Sequence, residues 1–187
     1  MTDRGLRALA LWATALVVAL DQATKVAVDR ILQLHESRSL ISGVAQLTYV
    51  RNRGAAFGVF SDAQIPYQSW LFAAVSVVAL VAIGVYGWRL PATSQLPRVA
   101  LSLIIGGALG NLVDRVRLGY VIDFLDVYWG RHHWPAFNVA DSSITIGVTL
   151  LVIDMLRQPR SAAGAERERP DPPGDATPGV AAGPAGD

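Results

Sequence analysis

Four long apolar stretches constrain this chain more than any other feature of its sequence. A helix needs about 20 residues to cross the hydrocarbon core of a bilayer. Only one of the four stretches is free of charge over that length, from Ala63 to Trp88. The pattern predicts an all-α membrane protein whose single domain, residues 1–157, contains four transmembrane helices at about 6–28, 63–88, 99–116 and 137–156.

The composition supports a membrane protein and excludes several functions. Of the 187 residues, 52% are hydrophobic and 17% are charged, whereas soluble domains carry about 25% charged residues. The net charge of +1 gives no basic surplus for nucleic-acid binding. The chain has no cysteine, which excludes a thiol nucleophile, a disulfide framework and cysteine-ligated metals.

The charges flanking the spans predict the topology. Arg4 and Arg7 before an apolar run are typical of a signal peptide. No small-residue cleavage site follows, so we interpret the run as a retained first helix. Four spans place both termini on one side of the membrane, and the short 89–98 connection carries only positive charges. The number of Lys and Arg residues is nearly equal on the two sides, so the positive-inside rule is almost uninformative by count. The short positive connection, and the fact that several arginines on the other side belong to motifs, lead us to predict cytoplasmic termini.

Two segments lie outside the predicted spans. The polar segment 31–62 contains Val44–Val50, whose β-branched and aromatic residues predict one or two short strands. Asn52-Arg53-Gly54 then predicts a turn. Residues 158–187 are rich in Pro, Gly, Ala and charge, which predicts a disordered, cytoplasmic tail.

Polar residues gather at one predicted end of the bundle. Acidic residues inside a membrane cost about 2.5–3.5 kcal/mol each on insertion scales and usually mark function. Residues three or four apart share a helix face, so Asp21 and Lys25 can form a pair. The same spacing groups two further sets near the third and fourth spans: Asn111, Asp114 and Arg115, and then Asn138 and Asp141.

Asp123 and Asp141 form the candidate catalytic pair. Asp123 lies in the loop after the third span among apolar residues, so it is not expected to be freely solvated. Two close carboxylates share one proton, an arrangement that activates water for peptide hydrolysis. Separate roles remain open: Asp141 could cap the fourth helix. For Asp114, we predict an ion pair with Arg115.

Other polar and small residues have structural interpretations. Gly106, Gly107 and Gly110 form a surface of small residues that is typical of close helix packing. His132 and His133, beside Trp134, suit an interfacial belt. No HExxH motif is present, and we expect neither a metal nor a cofactor.

Five motifs along the chain resemble those of one family. They are Asp21-Gln22-Ala23-Thr24-Lys25, Asn52-Arg53-Gly54-Ala55-Ala56-Phe57, Gly110-Asn111-Leu112-Val113-Asp114-Arg115, Val121-Ile122-Asp123-Phe124 and Phe137-Asn138-Val139-Ala140-Asp141-Ser142. The first three are similar to the DQxxK, NxGAAF and GNxxDR elements of the lipoprotein signal peptidase (signal peptidase II) family. The last two are similar to its aspartate-bearing blocks, and the resemblance covers about residues 6–157.

The resemblance implies a fold, a reaction and a set of site residues. The fold is four transmembrane helices with a small β-rich cradle outside the cytoplasm. The reaction removes the signal peptide from diacylglyceryl-modified prolipoproteins at the outer face of the bacterial inner membrane, just before the lipidated cysteine. Membrane lipids are further partners, and the chain is expected to be a monomer. The implied residues are Asp123 and Asp141 as the dyad, Asn52, Gly54, Asn111, Arg115 and Asn138 around it, and Asp21 and Lys25 as supports.

Two other functions fit parts of the same pattern. A proton-coupled transporter also uses intramembrane Asp and Lys, but it would spread them across the bilayer, and only Asp154 lies at the other predicted end. A non-catalytic assembly or lipid-binding protein would remain active after Asp123→Asn or Asp141→Asn. Those two substitutions therefore separate an enzyme from a scaffold.

Overall fold

The computed structural model describes residues 3–54, 67–91 and 94–157. Contacts divide the chain into a compact unit, Met1–Met155, and a second unit, Leu156–Asp187, of which only Leu156 and Arg157 are described. The elements follow in the order α1 Asp3–Ile31, β1 Ser37–Ile41, β2 Ala45–Asn52, α2 Gln68–Arg89, α3 Gln95–Leu118, β3 Val121–Trp129, β4 His132–His133 and α4 Val139–Arg157.

All four helices, within the described residues, are long and apolar enough to cross a membrane. In α3, 56% of the most apolar stretch is buried, against 17% in α1, 6% in α2 and 17% in α4. Large apolar side chains such as Trp12, Val78 and Met155 are exposed on the outer helices. Apolar surface on this scale is typical of contact with lipid, and it confirms the predicted class of a four-helix membrane protein.

The observed helices differ from the predicted spans mainly at their ends. The first and third helices extend beyond the predicted 6–28 and 99–116. The second begins at Gln68, and the predicted residues 63–66 lie outside the described part of the chain, as do Ala55–Phe57 of the second motif and the predicted tail. The fourth begins at Val139 rather than at residue 137, which makes Asn138 its N-cap.

Glycines allow α3 to pack closely against its neighbours. A Cβ added at Gly107 would lie 2.3 Å from the carbonyl oxygen of Ala140 in α4. A Cβ at Gly106 would lie 2.8 Å from Cβ of Val17 in α1. The small-residue surface predicted from the sequence therefore packs helix backbones together, as proposed for membrane proteins generally.

Gly107→Ala is expected to destabilise the protein by about 1–3 kcal/mol, because the new methyl group meets backbone and the helices must separate. Gly84→Ala is the matched control, since a Cβ there has no atom within 4 Å. The control should keep or slightly raise the thermal unfolding temperature in detergent, because alanine favours helix over glycine. Equal unfolding temperatures for the two variants would contradict the close packing.

The strands form one antiparallel sheet in the order β1-β2-β3-β4. The predicted strand segment 44–50 coincides with most of β2 and confirms a small β-structure. The segment that contains Asp123 is also a strand, β3, rather than the loop that the sequence indicated. A buried cluster of Val28, Leu32, Tyr49, Ile122 and Phe124 attaches β2 and β3 to the end of α1.

A tyrosine hydroxyl strengthens this attachment. The hydroxyl of Tyr49 in β2 donates a hydrogen bond of 2.5 Å to the carboxylate of Asp29 in α1. Burial, followed by this bond to a carboxylate, raises the pKa of Tyr49 to about 12. The sheet is thus fixed to the same end of α1 that carries Asp21 and Lys25.

Candidate active site

Two local devices bring Asp123 and Asp141 to one end of the bundle. Gly119, in the left-handed conformation at φ 76°, ends α3 and turns the chain into β3. A β-bridge between Leu125 and Phe137 then holds the start of α4 against β3. Strand and helix N-terminus therefore meet, and each contributes one aspartate.

Asp123 is buried, with 2% of its surface exposed, and both of its oxygens accept hydrogen bonds. Oδ1 accepts from Nδ2 of Asn138 at 2.7 Å and Oδ2 accepts from Nδ2 of Asn52 at 2.9 Å. Asn52 reaches it because Val50, two residues earlier in β2, pairs with Asp123 across the sheet.

The pKa of Asp123 is raised to about 7. Burial is the largest cause, because removal from water disfavours the charged form, and the nearby charge of Asp141 adds to it. The hydrogen bonds from Asn52 and Asn138 act in the opposite direction. Asp123 therefore titrates close to neutral pH.

Asp141 combines a capping role with a place in this cluster. The backbone N–H of Asp141 donates to Oδ1 of Asn138 at 2.9 Å, and the backbone N–H of Asn138 donates to Oδ2 of Asp141 at 3.3 Å. This reciprocal pair is a capping box. The other oxygen, Oδ1, accepts from Nδ2 of Asn111 at 2.8 Å. Asp141 therefore helps to cap α4 while it contacts Asn111, although the N-cap itself is Asn138 and not Asp141.

A buried ion cluster lies directly beneath this pair. Nζ of Lys25 contacts Oδ2 of Asp21 at 2.8 Å and Oδ2 of Asp114 at 2.9 Å, and all three side chains are almost fully buried. Oδ1 of Asp21 also accepts from the backbone N–H of Ala140 at 3.0 Å. The cluster therefore ties α1 to α3 and to the start of α4.

The sequence assigned the wrong partner to Asp114. It pairs with Lys25 and accepts from the backbone N–H of Ile122 at 3.2 Å, whereas Arg115 turns elsewhere. The buried guanidinium of Arg115 donates from Nη2 to the carbonyl oxygen of Gly54 at 3.2 Å. Adjacent residues on a helix point in different directions, so Asp114 and Arg115 take different partners.

The structure brings all the predicted site residues to this end of the molecule. Asn52 also accepts a hydrogen bond from the backbone N–H of Gly54 at 2.8 Å, which confirms the predicted turn.

Sequence reasoning missed Gln22, whose Nε2 donates to Asp114 at 2.9 Å and to the carbonyl oxygen of Gly110 at 3.1 Å. Its position next to Asp21 in the first motif was the available signal.

The glycine of the third motif has a clear structural reason. A Cβ at Gly110 would lie 2.5 Å from Oδ2 of Asp21, so only glycine lets that carboxylate reach Lys25.

Within residues 3–54, 67–91 and 94–157, no group of three His, Asp or Glu side chains is arranged to hold a metal ion.

Two solved structures that share this fold are bacterial membrane enzymes. One, determined by the in meso method at 2.3 Å resolution, has a TM-score of 0.70 and 36% sequence identity over 80% of this chain and 88% of its own. Another, determined by the same method at 1.9 Å, has a TM-score of 0.72 and 32% identity over 81% and 95%. The shared fold, at 36% and 32% sequence identity, places the chain in the class of bacterial membrane enzymes.

Sequence comparison identifies the family within that class. Residues 13–157 match the family described as signal peptidase (SPase) II. The lipoprotein signal peptidase of Geobacter sulfurreducens is 55% identical over 146 residues, 78% of this chain and 90% of that protein. The protein of the same name from Geobacter metallireducens is 53% identical over 147 residues, 79% and 90%. The chain belongs to the signal peptidase II family, which confirms the resemblance.

Proposed function

We propose that this chain is an aspartic endopeptidase that removes the signal peptide from diacylglyceryl-modified prolipoproteins, cutting just before the lipidated cysteine. Family membership supports the removal of signal peptides from prolipoproteins. The aspartic mechanism depends chiefly on one observation. Two carboxylates from separate elements, the buried Asp123 and the partly buried Asp141, lie in one network of asparagine amides, and Asp123 has a pKa of about 7.

The reaction needs one protonated and one charged carboxyl group. Asp123, with its raised pKa, carries the shared proton at neutral pH. Asp141 takes a proton from water as the water oxygen attacks the carbonyl carbon of the scissile bond. Asp123 gives its proton to the carbonyl oxygen. When the C–N bond breaks, the nitrogen leaves with the proton held by Asp141, and Asp123 recovers its own from the collapsing intermediate.

The surrounding side chains position these two acids and the peptide. Asn52 and Asn138 orient Asp123, and Asn111 orients Asp141. Arg115 holds Gly54 by a hydrogen bond to its carbonyl oxygen, and Gly54 is the last described residue of the segment 3–54. Asp21 and Lys25 support the site by joining the helices: Lys25 binds Asp114 in α3, and Asp21 accepts from the backbone N–H of Ala140 in α4.

The position of the site fits a substrate that carries a lipid. The two aspartates lie where the helices end and the sheet begins, so a peptide can reach them while its acyl chains stay in the lipid. We place this end at the outer face of the bacterial inner membrane and both termini in the cytoplasm. A single peptidase domain, residues 1–157, acts as a monomer without a cofactor.

Clustering of the acids disfavours a transporter. Asp21, Asp114, Asp123 and Asp141 gather at one end of the bundle, and Lys25 gives all its ammonium hydrogens to partners there. A proton path across the bilayer needs titratable groups at several depths. We therefore propose no second function.

The direct test is cleavage by the purified protein in the presence of a chelator. A diacylglyceryl-modified prolipoprotein is the substrate, and the unmodified form of the same protein is the control. We expect the modified form alone to be cut, with mass spectrometry showing a new N-terminus at the lipidated cysteine. Cleavage of neither form, or cleavage that the chelator stops, would contradict the proposal.

Activity is expected to decline above about pH 7. Below its pKa Asp123 carries the proton that the reaction donates, and above it both carboxyl groups are charged. The value of kcat should then fall by about tenfold for each further pH unit, as expected for loss of a single acid. Thermal unfolding over the same pH range controls for denaturation. A kcat that stays constant or rises up to pH 9 would contradict the role of Asp123.

A further inference from the structure

The side-chain amide of Asn111 has one favourable orientation. Its Oδ1 accepts from Nζ of Lys25 at 2.9 Å and from Nδ2 of Asn138 at 3.2 Å, while its Nδ2 donates to Oδ1 of Asp141 at 2.8 Å. Turning the amide by half a rotation would set donor against donor at two contacts. It would also set an amide oxygen against a carboxylate oxygen at the third.

Lys25 is the stronger of the two donors that fix this orientation. Its ammonium group is charged and buried, and hydrogen bonds from charged donors are about twice as strong as neutral ones. Two of its three hydrogens are taken by Asp21 and Asp114, which hold the nitrogen from α1 and α3. The third is therefore aimed at Asn111.

We propose that Lys25 is a positioning residue for the catalytic pair, acting through Asn111 to keep an N–H donor on Asp141. This inference rests on the proposed function, because it concerns how Asp141 is held as the proton acceptor. The charged groups that face Asp141 are Lys25 from α1, Arg115 from α3 and Asp123 from β3. Among them, Lys25 also controls a hydrogen bond to Asp141.

Without Lys25, the Asn111 amide loses the main hydrogen bond that keeps its Nδ2 directed at Asp141. Its oxygen can then face Asp141, and a carboxylate beside an acceptor is harder to ionise. The consequence is a slower chemical step with unchanged substrate binding. This effect differs from loss of helix packing, which lowers the amount of folded protein without changing the chemistry of each folded molecule.

A double-mutant cycle between Lys25 and Asn111 tests the inference. Lys25→Met alone leaves two opposed carboxylates, so the variant is made together with Asp21→Asn, which keeps the net charge of the cluster at −1. We expect kcat on the modified prolipoprotein to fall by about 10- to 100-fold, with KM unchanged, as for residues that act as a unit. Asn111→Ala should cause a similar loss, and adding it to the Lys25 variant should cost no more than about twofold.

The pH profile gives a second reading of the same cycle. In both the Lys25 variant and Asn111→Ala, the acid limb of kcat should move to higher pH by the same amount. Asp21→Asn alone is the control, because it keeps the Lys25–Asn111 hydrogen bond. Its effect on kcat should multiply with that of Asn111→Ala. If the Lys25 variant does not fold, Lys25→Gln in the same background replaces it, since its amide has only two hydrogens, which Asp114 and the amide oxygen introduced at position 21 can accept, leaving none for Asn111.

Two results would overturn the inference. One is that the Lys25 and Asn111 effects multiply, and the other is that the acid limb does not move. Either result would reduce Lys25 to a residue that joins helices. Failure of the proposed function is distinguishable, because it shows as absent cleavage by wild type or as full activity of Asp141→Asn.

Discussion

Asp123→Asn and Asp141→Asn are each expected to lower kcat by about 100- to 10,000-fold, the contribution of a positioned acid or base. Asparagine keeps the size of the side chain but can neither hold the shared proton nor take one from water. The measurement is cleavage of a diacylglyceryl-modified prolipoprotein by purified variants in chelator. Thermal unfolding of the same samples shows that the loss is chemical.

Asp126→Asn is the matched control for these two variants. Asp126 lies in the same strand as Asp123 and is also buried, but its partners are Gln46 and His133 rather than the asparagine network. Its substitution should leave kcat within about threefold of wild type, because a residue outside the reacting groups removes no acid or base. Full activity of Asp123→Asn or Asp141→Asn would contradict the role of that carboxyl group in the reaction, whereas a scaffold would show no cleavage even as wild type.

Lys25→Met is expected to cause the largest loss of stability, about 3–5 kcal/mol, because it leaves Asp21 and Asp114 as uncompensated buried charges. Methionine keeps the length of the side chain, so little packing is lost. The measurement is the thermal unfolding temperature of purified protein in one detergent. Adding Asp21→Asn should recover part of the loss, since one of the two charges is then removed.

Arg117→Met controls for the loss of a positive charge. Arg117 is exposed on α3, near the same end of the helix as Asp114. Surface substitutions usually change stability by no more than about 0.5 kcal/mol. An unfolding temperature for Lys25→Met equal to that of Arg117→Met would contradict the importance of the buried cluster.

The sequence predicts the helices well and the sheet only in part. Lipid requires long apolar stretches, so the four helices are visible as apolar runs in the sequence even where aspartates flank or interrupt them. The strand at Ala45–Asn52 also has its expected pattern. The strand at Val121–Trp129 does not, because its first four residues are all buried and so lack the alternation that marks a half-buried strand. Its pairing with the second strand comes from long-range contacts that no local pattern encodes.

In the site, too, the sequence predicts the contacts within one helix but not those between elements. Spacings of three and four residues predict that Asp21 faces Lys25 and that Asn138 faces Asp141, since helix geometry is local. The prediction that Asp114 pairs with Arg115 was wrong. Its true partner, Lys25, lies on another helix, and helix spacing says nothing about how two helices pack. The orientation of the Asn111 amide depends on three side chains from other parts of the chain, those of Lys25, Asn138 and Asp141, so the three-dimensional arrangement alone determines it.

The most direct test of the proposed mechanism is a single turnover in ¹⁸O-labelled water with enzyme in excess over the modified prolipoprotein. If Asp123 and Asp141 activate water, the new carboxyl group of the released signal peptide will carry one ¹⁸O after the first turnover, and the enzyme will carry none. An unlabelled peptide product, with ¹⁸O in the side chain of Asp123 or Asp141, would show a covalent acyl-enzyme instead and would contradict the mechanism.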